Sequence, residues 1–162
     1  MSDSDGRFSG YRLWELTAET EDAAYWTRET VDLEKRIFCH SAWEADSFYR
    51  AVENTYDSLI LCTGEQKQLL GYALLRRLDI AELLIIGVVE TARRQGIGAA
   101  LMKKVLSAAG CLPVFLEVRE GNAAARRLYE ACGFREYGRR KNYYEQPSED
   151  AVLMKYEDIT DA

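Results

Sequence analysis

One short segment of the chain combines basic residues and glycines in a pattern that suits a phosphate group. It follows an apolar run at 83–89, leads through Ala99 into a helix-like run, and consists of Arg93, Arg94, Gln95, Gly96, Ile97 and Gly98. Glycines let the backbone approach a ligand closely, and the first N–H groups of a helix have no partner within it. Because the helix dipole adds roughly half a positive charge at that end, the segment predicts a pyrophosphate site. A tight strand-to-helix connection that binds nothing is the alternative.

Two common phosphate motifs are excluded by the sequence. The dinucleotide fingerprint requires Gly or Ala three residues after its second glycine, where this chain has Leu101. The P-loop requires a Gly-Lys pair, and the chain contains none. The segment therefore predicts a phosphate site of another kind.

The elements that must position this segment follow from hydrophobic spacing and turn residues. Strands are predicted at 11–16, 58–62, 69–78, 80–89, 114–118, 134–143 and 151–156, and helices at 18–39, 43–52, 97–109 and 122–133. Ser41 is predicted to cap the second helix with Glu44 in the capping-box position, and Asn122 is predicted to cap the fourth. The order β-α-α-β-β-β-α-β-α-β-β predicts an α/β (α+β) fold, a mixed sheet with helices on both faces.

The length of the chain, 162 residues, suits one domain with a core of its own. We expect residues 10–157 to form this domain, residues 1–9 to be a flexible acidic tail, and residues 158–162 to be a second tail. The acidic start does not resemble a signal peptide, and no apolar run approaches the roughly 18 residues that span a bilayer. These features predict a cytoplasmic protein that does not bind membranes, with a monomer favoured.

Charge is distributed unevenly along the chain. The formal net charge is −6, which disfavours general nucleic-acid binding. Residues 87–145 hold 11 basic and 6 acidic side chains, whereas residues 1–86 hold 9 basic and 16 acidic ones. A basic half that carries the phosphate segment suits an anionic cofactor, and an acidic half suits a cationic partner. A solvated surface without such a role is the alternative.

The cysteines and the single histidine are scattered. Cys39, Cys62, Cys111 and Cys132 form no Cys-x-x-Cys pair, and His40 stands alone. This spacing predicts neither a metal site nor a disulfide framework, and it leaves no His-based triad. We expect reduced thiols packed as small apolar groups and a histidine at a helix end or on the surface.

A series of short motifs begins at the phosphate segment and continues toward the end of the chain. They are Arg93-x-x-Gly96-x-Gly98, Leu116-Glu117-Val118-Arg119, Asn122-Ala123-Ala124-Ala125, Leu128-Tyr129-Glu130, Gly133-Phe134, Asn142-Tyr143-Tyr144 and Glu149-Asp150-Ala151. With these motifs, the sequence from about residue 86 to residue 155 closely resembles the GNAT superfamily of N-acetyltransferases. Within that superfamily it is similar to the branch of bacterial ribosomal-protein-alanine N-acetyltransferases, the RimI type. Where the family often has Asp-Pro after the cofactor strand, this chain has Val89-Glu90, a difference that we expect to be structural.

The resemblance implies a GNAT-like, mostly antiparallel sheet, acetyl-CoA as co-substrate, and no metal. Ile86, Gly87 and Val88 would lie along the pantetheine, and the backbone amides of residues 94–99 would hold the pyrophosphate. Asn122 would contact the cofactor from the start of the next helix.

The resemblance also implies that Glu117 is the general base and Tyr129 the general acid. The residues themselves leave alternatives open. Glu117 lies in an otherwise apolar strand, and an ion pair with Arg119 on the same face is its alternative role. Tyr129 lies two helical turns beyond Asn122, roughly 10 Å along the same side, and a core tyrosine is the alternative.

Tyr143 and Tyr144, between the last two predicted strands, are candidates for the wall of an acceptor site, although aromatic residues there can equally serve packing. The leading function implied by the resemblance is Nα-acetylation of a protein N-terminus, the alanine of small-subunit ribosomal protein eighteen, so the expected partner is a basic ribosomal protein. One alternative is an acetyltransferase of a small amine such as a polyamine, amino acid or aminoglycoside. Another is a non-catalytic acyl-CoA-binding module that regulates a partner.

Overall fold

The computed structural model describes residues 10–158, so the predicted tail at 1–9 and residues 159–162 of the second one lie outside the described residues. The strands are β1 (Tyr11–Leu16), β2 (Asp57–Gly64), β3 (Leu69–Arg77), β4 (Ala81–Val88), β5 (Val114–Arg119), β6 (Arg135–Tyr144) and β7 (Glu149–Tyr156). The helices are α1 (Ala23–Phe38), α2 (Ala45–Glu53), α3 (Ile97–Ala109) and α4 (Ala123–Ala131). The predicted order of strands and helices is confirmed.

The seven strands form one sheet in the order β1-β2-β3-β4-β5-β7-β6. Within the described part of the chain, every pair of neighbouring strands is antiparallel except β4 and β5, which are parallel. The sheet is therefore mixed and mostly antiparallel, as predicted.

Apolar side chains cover both faces of the sheet. On one face, Ile97 and Leu101 of α3 are buried in a cluster that also holds Tyr129 of α4. On the other face, Val31 of α1 and Phe48 of α2 are buried in a second cluster. β2 and β3 are buried along almost their whole length because they lie between these clusters. The prediction of helices on both faces is confirmed.

The parallel pair β4 and β5 is joined only at its start. Ala81 pairs with Val114 and Glu82 pairs with Phe115, and no further pair of residues connects the two strands within the described chain. Beyond that point β5 remains paired with β7 on its other side, and β4 with β3. The two strands therefore separate, and the edge of β4 at residues 83–88 faces a gap in the sheet.

Two details of the predicted helices are wrong. α1 begins at Ala23 rather than at residue 18, because the backbone N–H of Thr17 donates to Thr20 Oγ1 and forms a turn first. Ser41 does not cap α2, since it belongs to a short 3-10 turn and its hydroxyl donates back to the carbonyl of Phe38 at 3.0 Å. Glu44, directly before α2, makes no side-chain cap either.

The cap of α4 agrees with the sequence. Asn122 Oδ1 accepts a hydrogen bond of 3.2 Å from the backbone N–H of Ala125. Within residues 10–158, no helix combines the length and the apolar character needed to span a bilayer.

All four cysteines are free, but the expectation that they are packed as apolar groups is wrong for two of them. Cys62 is fully buried, whereas Cys39 and Cys111 are exposed in connections between elements. His40 is exposed beside Cys39. In the described part of the chain, no group of three or more His, Cys, Asp or Glu side chains is arranged to hold a metal ion.

Candidate functional site

The gap between β4 and β5 opens into a cleft of about 880 Å³, which lies within the usual size range of small-molecule sites. Most of the residues that the sequence singled out line this cleft. They are Ile86, Gly87, Val88, Arg93, Arg94, Gly96, Gly98, Ala99, Glu117, Asn122, Tyr129 and Tyr144. Gln95, Ile97 and Tyr143 do not line it.

The glycine turn presents the start of α3 to the cleft. Gly96 has a φ of 85°, and no side chain caps the helix. The first hydrogen bond of the helix runs from the N–H of Ala100 to the carbonyl of Gly96, at 3.0 Å. The N–H groups of residues 97–99 therefore have no partner inside the helix, and they are available to an anion.

The side chains of this turn have structural roles of their own. Ile97 is buried in the core, and Gln95 Nε2 donates to the carbonyl of Thr91 at 3.0 Å. Arg93 Nε donates to the carbonyl of Val88 at 3.1 Å and so ties the turn to the end of β4. Gln95 and Ile97 can thus contribute only backbone groups to a ligand, which is the form of contact that the resemblance implied.

Gly87 on β4 lies directly opposite a buried tyrosine, Tyr72, on the neighbouring strand β3. A Cβ atom at Gly87 would lie 2.7 Å from the hydroxyl oxygen of Tyr72 on β3. No side chain fits there, so glycine is required by close approach. On its β5 side, β4 has no strand partner at this level, and its backbone can accept an extended ligand as a further strand would.

Glu117 lies in β5 with its side chain 33% exposed, and it faces the cleft. Its partner is not Arg119, as one alternative had it, but Arg140, whose Nη1 lies 3.5 Å from Oε1. The hydroxyl of Tyr143 also donates to Glu117, and this hydrogen bond raises the pKa of Tyr143. Burial alternates along β5, and both Glu117 and Arg119 lie on its less buried side, so the prediction that they share a face is confirmed.

Arg119 instead holds the loop that connects β6 and β7. Its Nη1 lies 3.3 Å from Glu149 Oε2 and donates to the carbonyl of Pro147 at 3.2 Å. Its guanidinium lies 4.3 Å from the ring centre of Tyr144. These contacts fix the ring of Tyr144 at the wall of the cleft, where burial, with the nearby charge of Glu117, raises its pKa to about 12.

Tyr129 is 6% exposed, and its ring packs 5.9 Å from that of Phe134. Burial raises the pKa of Tyr129, so the hydroxyl is protonated at neutral pH. Within the described residues the hydroxyl makes no hydrogen bond, although the ring is deeply buried. Tyr129 and Asn122 both line the cleft from α4, and the hydroxyl is free to serve a ligand there.

Sequence reasoning missed the wall of the cleft formed by α1 and the connection after it. This wall consists of Glu34, Phe38, Ser41 and Trp43. Glu34 is only 1% exposed, and burial raises the pKa of its carboxyl. A signal was present, because Thr27, Thr30, Val31 and Glu34 recur at helical spacing and are all buried. Polar residues on the inner stripe of a helix indicate a role beyond packing.

Comparisons with known proteins agree with this geometry. Residues 13–134 match the family model described as the acetyltransferase (GNAT) family. The ribosomal protein bS18-alanine N-acetyltransferase of Haemophilus influenzae is 42% identical over 97 residues, covering 56% of this chain and 66% of that protein. The N-alpha-acetyltransferase RimI of Mycobacterium tuberculosis is 30% identical over 152 residues, covering 86% of this chain and 96% of that protein. The chain spans about half the length of the first curated relatives that it matches.

Solved structures show the same fold. The ribosomal-protein-S18-alanine N-acetyltransferase of Escherichia coli superimposes with a TM-score of 0.76 at 29% identity, covering 90% of this chain and 92% of that one. Arabidopsis thaliana NAA60 in complex with acetyl-CoA gives a TM-score of 0.74 at 21% identity, covering 91% and 99%. The fold implied by the resemblance is confirmed.

Proposed function

This chain belongs to the GNAT acetyltransferase family and is an N-acetyltransferase, and we propose that it moves the acetyl group of acetyl-CoA to the N-terminal amino group of a protein. The proposed acceptor is the N-terminal alanine of ribosomal protein bS18, because relatives that carry this substrate in their names are 42% and 44% identical over 56% and 48% of the chain. A ribosomal-protein substrate places the proposed activity in the cytoplasm.

The uncapped start of α3 and the open edge of β4 support acetyl-CoA as the co-substrate. The free N–H groups of residues 97–99 suit the pyrophosphate, with Arg94 beside them in the cleft. At Ile86, Gly87 and Val88, β4 has no strand partner on its β5 side, although the carbonyl of Val88 already accepts from Arg93. The remaining backbone groups of this edge suit the amides of the pantetheine, because strand edges pair with extended amides. When bound, acetyl-CoA supplies a thioester carbonyl to the cleft.

The observation that carries the proposal is that Glu117 and Tyr129 line one cleft in complementary states. Glu117 is partly exposed and held by Arg140, and Tyr129 is a buried residue whose protonated hydroxyl faces the cleft without a partner among the described residues. A proton acceptor and a proton donor across one cavity are what acyl transfer to an amine requires.

In the proposed reaction, Glu117 accepts the proton that the acceptor nitrogen loses as it attacks the thioester carbon. The attacking nitrogen must be neutral, and because an α-ammonium group has a reference pKa of about 7.7–8.0, part of the acceptor is already a neutral amine near neutral pH. The proton that Glu117 accepts is the one that this amine loses as the C–N bond forms. The new C–N bond replaces the C–S bond, and Tyr129 donates its proton to the departing sulfur. Glu117 then loses its proton to solvent, and Tyr129 regains one from water.

The proposal is tested by acetylation of a basic peptide that carries the N-terminal sequence of bS18. The same peptide with a blocked N-terminus but free lysine side chains is the control, and spermidine represents small amines. We expect that the peptide with a free N-terminus is acetylated and that the blocked peptide and spermidine are not, as measured by intact mass. Acetylation of spermidine without the peptide would overturn the protein acceptor, and binding of acetyl-CoA without turnover on any amine would indicate a non-catalytic module.

A further inference from the structure

We propose that Glu34 is a positioning residue, whose buried carboxyl ties the Trp43 wall of the cleft to the strand beneath Gly87 and thereby sets the affinity for the acceptor amine. The inference rests on the proposed function in one respect, namely that the end of the cleft lined by Trp43 receives the acceptor. Nothing in the proposed chemistry requires Glu34 to touch a reacting atom.

The first part of the argument is how Glu34 is held. The carboxyl is buried, and each of its oxygens accepts one hydrogen bond. The backbone N–H of Trp43 donates to Oε1 at 3.0 Å, and the hydroxyl of Tyr72 donates to Oε2. Among the described residues no cation pairs with Glu34, so these two donors alone satisfy a group that is costly to bury.

The second part is what the two donors belong to. Tyr72 is fully buried, and its hydroxyl occupies the space where a side chain at Gly87 would lie. Glu34 therefore contacts, through one hydroxyl, the segment of β4 proposed to bind the pantetheine. On its other side it holds the backbone of Trp43, which lines the cleft.

The third part is that the connection between α1 and α2 has few other hydrogen bonds to the rest of the fold, although Phe38 and Trp43 pack on the second apolar cluster. Its internal bonds are local, from the N–H of Ala42 to the carbonyl of Cys39 at 3.3 Å and from Ser41 to Phe38. The bond from Trp43 to Glu34 bridges nine residues and joins this connection to the inner side of α1. Loss of Glu34 leaves the wall without this attachment, and two buried donors without an acceptor.

A matched control for Glu34 exists at the first residue of β2. Asp57 is also a buried carboxyl, held by Arg76 Nε at 2.9 Å and by Asn54 Nδ2 at 2.8 Å, but it does not line the cleft. Removal of either carboxyl deletes at least two hydrogen bonds to a buried acceptor and lowers stability. Only removal of Glu34 is expected to affect the acceptor.

The kinetic experiment compares Glu34→Ala with Asp57→Ala. We expect Glu34→Ala to raise KM for the acceptor peptide at least about tenfold, with the Kd for acetyl-CoA within about twofold of wild type. Glu34→Gln should recover most of this loss, because its amide oxygen can still accept from Trp43 and its NH₂ can donate to Tyr72. Asp57→Ala should lower the melting temperature and leave KM unchanged.

Should Glu34→Ala fail to fold, Tyr72→Phe takes its place. It removes one of the two hydrogen bonds and keeps the ring packed below Gly87, so KM for the peptide should still rise about threefold. A wild-type KM in the folded variant, or an equal rise in Asp57→Ala, overturns the positioning role.

Hydrogen exchange tests the attachment without any substrate. The amide of Trp43 should exchange at least about tenfold faster in Glu34→Ala than in wild type, and equally fast in Asp57→Ala and wild type. Unchanged exchange at Trp43 overturns the inference even if the peptide is acetylated. Faster exchange in an enzyme that acetylates no peptide overturns the proposed acceptor and leaves the attachment standing.

Discussion

Arg140 on β6 reaches across β7 to the carboxylate of Glu117 on β5, and Arg140 Nη1 lies 3.5 Å from Glu117 Oε1. This cross-strand pair holds the proposed base, and the hydroxyl of Tyr143 holds it from a second direction. The base is thus oriented by the β6–β7 hairpin, whereas Arg119, its neighbour along β5, is committed to the loop of that hairpin.

Glu117→Gln should lower turnover by a factor on the order of 10²–10⁴, because the amide cannot accept the proton of the acceptor amine. The affinity for acetyl-CoA should stay near that of wild type, since Glu117 acts on the acceptor. Higher pH should restore part of the rate, because more of the amine is then neutral. Initial rates at pH 7 and pH 9 measure both effects, and wild-type turnover at pH 7 would remove Glu117 from the mechanism.

Tyr129→Phe should lower turnover with little change in the melting temperature. It deletes a hydroxyl that has no hydrogen bond among the described residues, while the ring and its packing on Phe134 remain. Tyr137→Phe is the control, because Tyr137 is 49% exposed and lies outside the cleft. A variant of Tyr129 that melts earlier but acetylates at the normal rate would show that Tyr129 is a core tyrosine.

Gly96→Ala should weaken acetyl-CoA binding at least about tenfold, or about 1.4 kcal/mol, because an added methyl group would project toward the ligand. Gly110→Ala is the matched control. Both glycines have a positive φ, 85° and 63°, and a Cβ atom at either one meets no other atom within 4 Å. The backbone strain is larger in the control, because Gly110 combines its positive φ with a ψ of −125°, whereas Gly96 has a ψ of 0° and lies in the left-handed helical region. Of the two glycines, however, only Gly96 lines the cleft. Calorimetric titration separates them, and equal affinities in the two variants would place the phosphate elsewhere.

Cys62→Ala should flatten the alkaline part of the stability profile. Burial raises the pKa of the Cys62 thiol to about 11, from a reference of 9.0. Because the unfolded chain ionises at the lower pH, the stability contributed by the neutral thiol is complete below about pH 9 and is lost as pH rises toward 11. Denaturant unfolding at pH 8 and pH 10.5 measures the slope, with Cys39→Ala at an exposed site as the control. An equal slope in both variants would contradict the prediction.

The sequence predicted those features that depend on local spacing. The order of elements, the cap at Asn122, and the shared face of Glu117 and Arg119 all follow from residues that are close along the chain. The partner of Glu117 could not be predicted in this way, because Arg140 is brought near it only by the order of strands in the sheet.

The contacts of Glu34 also depend on residues that are distant along the chain. A glutamate beside lysine and arginine in a charged helix resembles a solvent-exposed residue, and its helical spacing from Thr27 and Val31 is the one local signal for the inner face. Its burial depends on two donors, Tyr72 and Trp43, which lie 38 and 9 residues away.

The prediction that Ser41 caps α2 is wrong for a related reason. The hydroxyl of Ser41 donates to the carbonyl of Phe38 in the turn that follows α1, before α2 begins.

Because β4 and β5 pair over so short a length, the angle between these two strands sets the width of the cleft. Within residues 10–158, two register pairs, Ala81 with Val114 and Glu82 with Phe115, join strands β1–β4 to strands β5, β7 and β6 in the sheet. One apolar cluster under α3 also packs on strands from both groups. From Glu82 to Val88, the part of β4 that lacks a partner on its β5 side is about 20 Å long. A change of about 3° in the angle between β4 and β5 therefore displaces Val88 by about 1 Å. Substitutions at these paired residues, which are remote from every reacting group, would therefore affect catalysis by changing the width of the cleft.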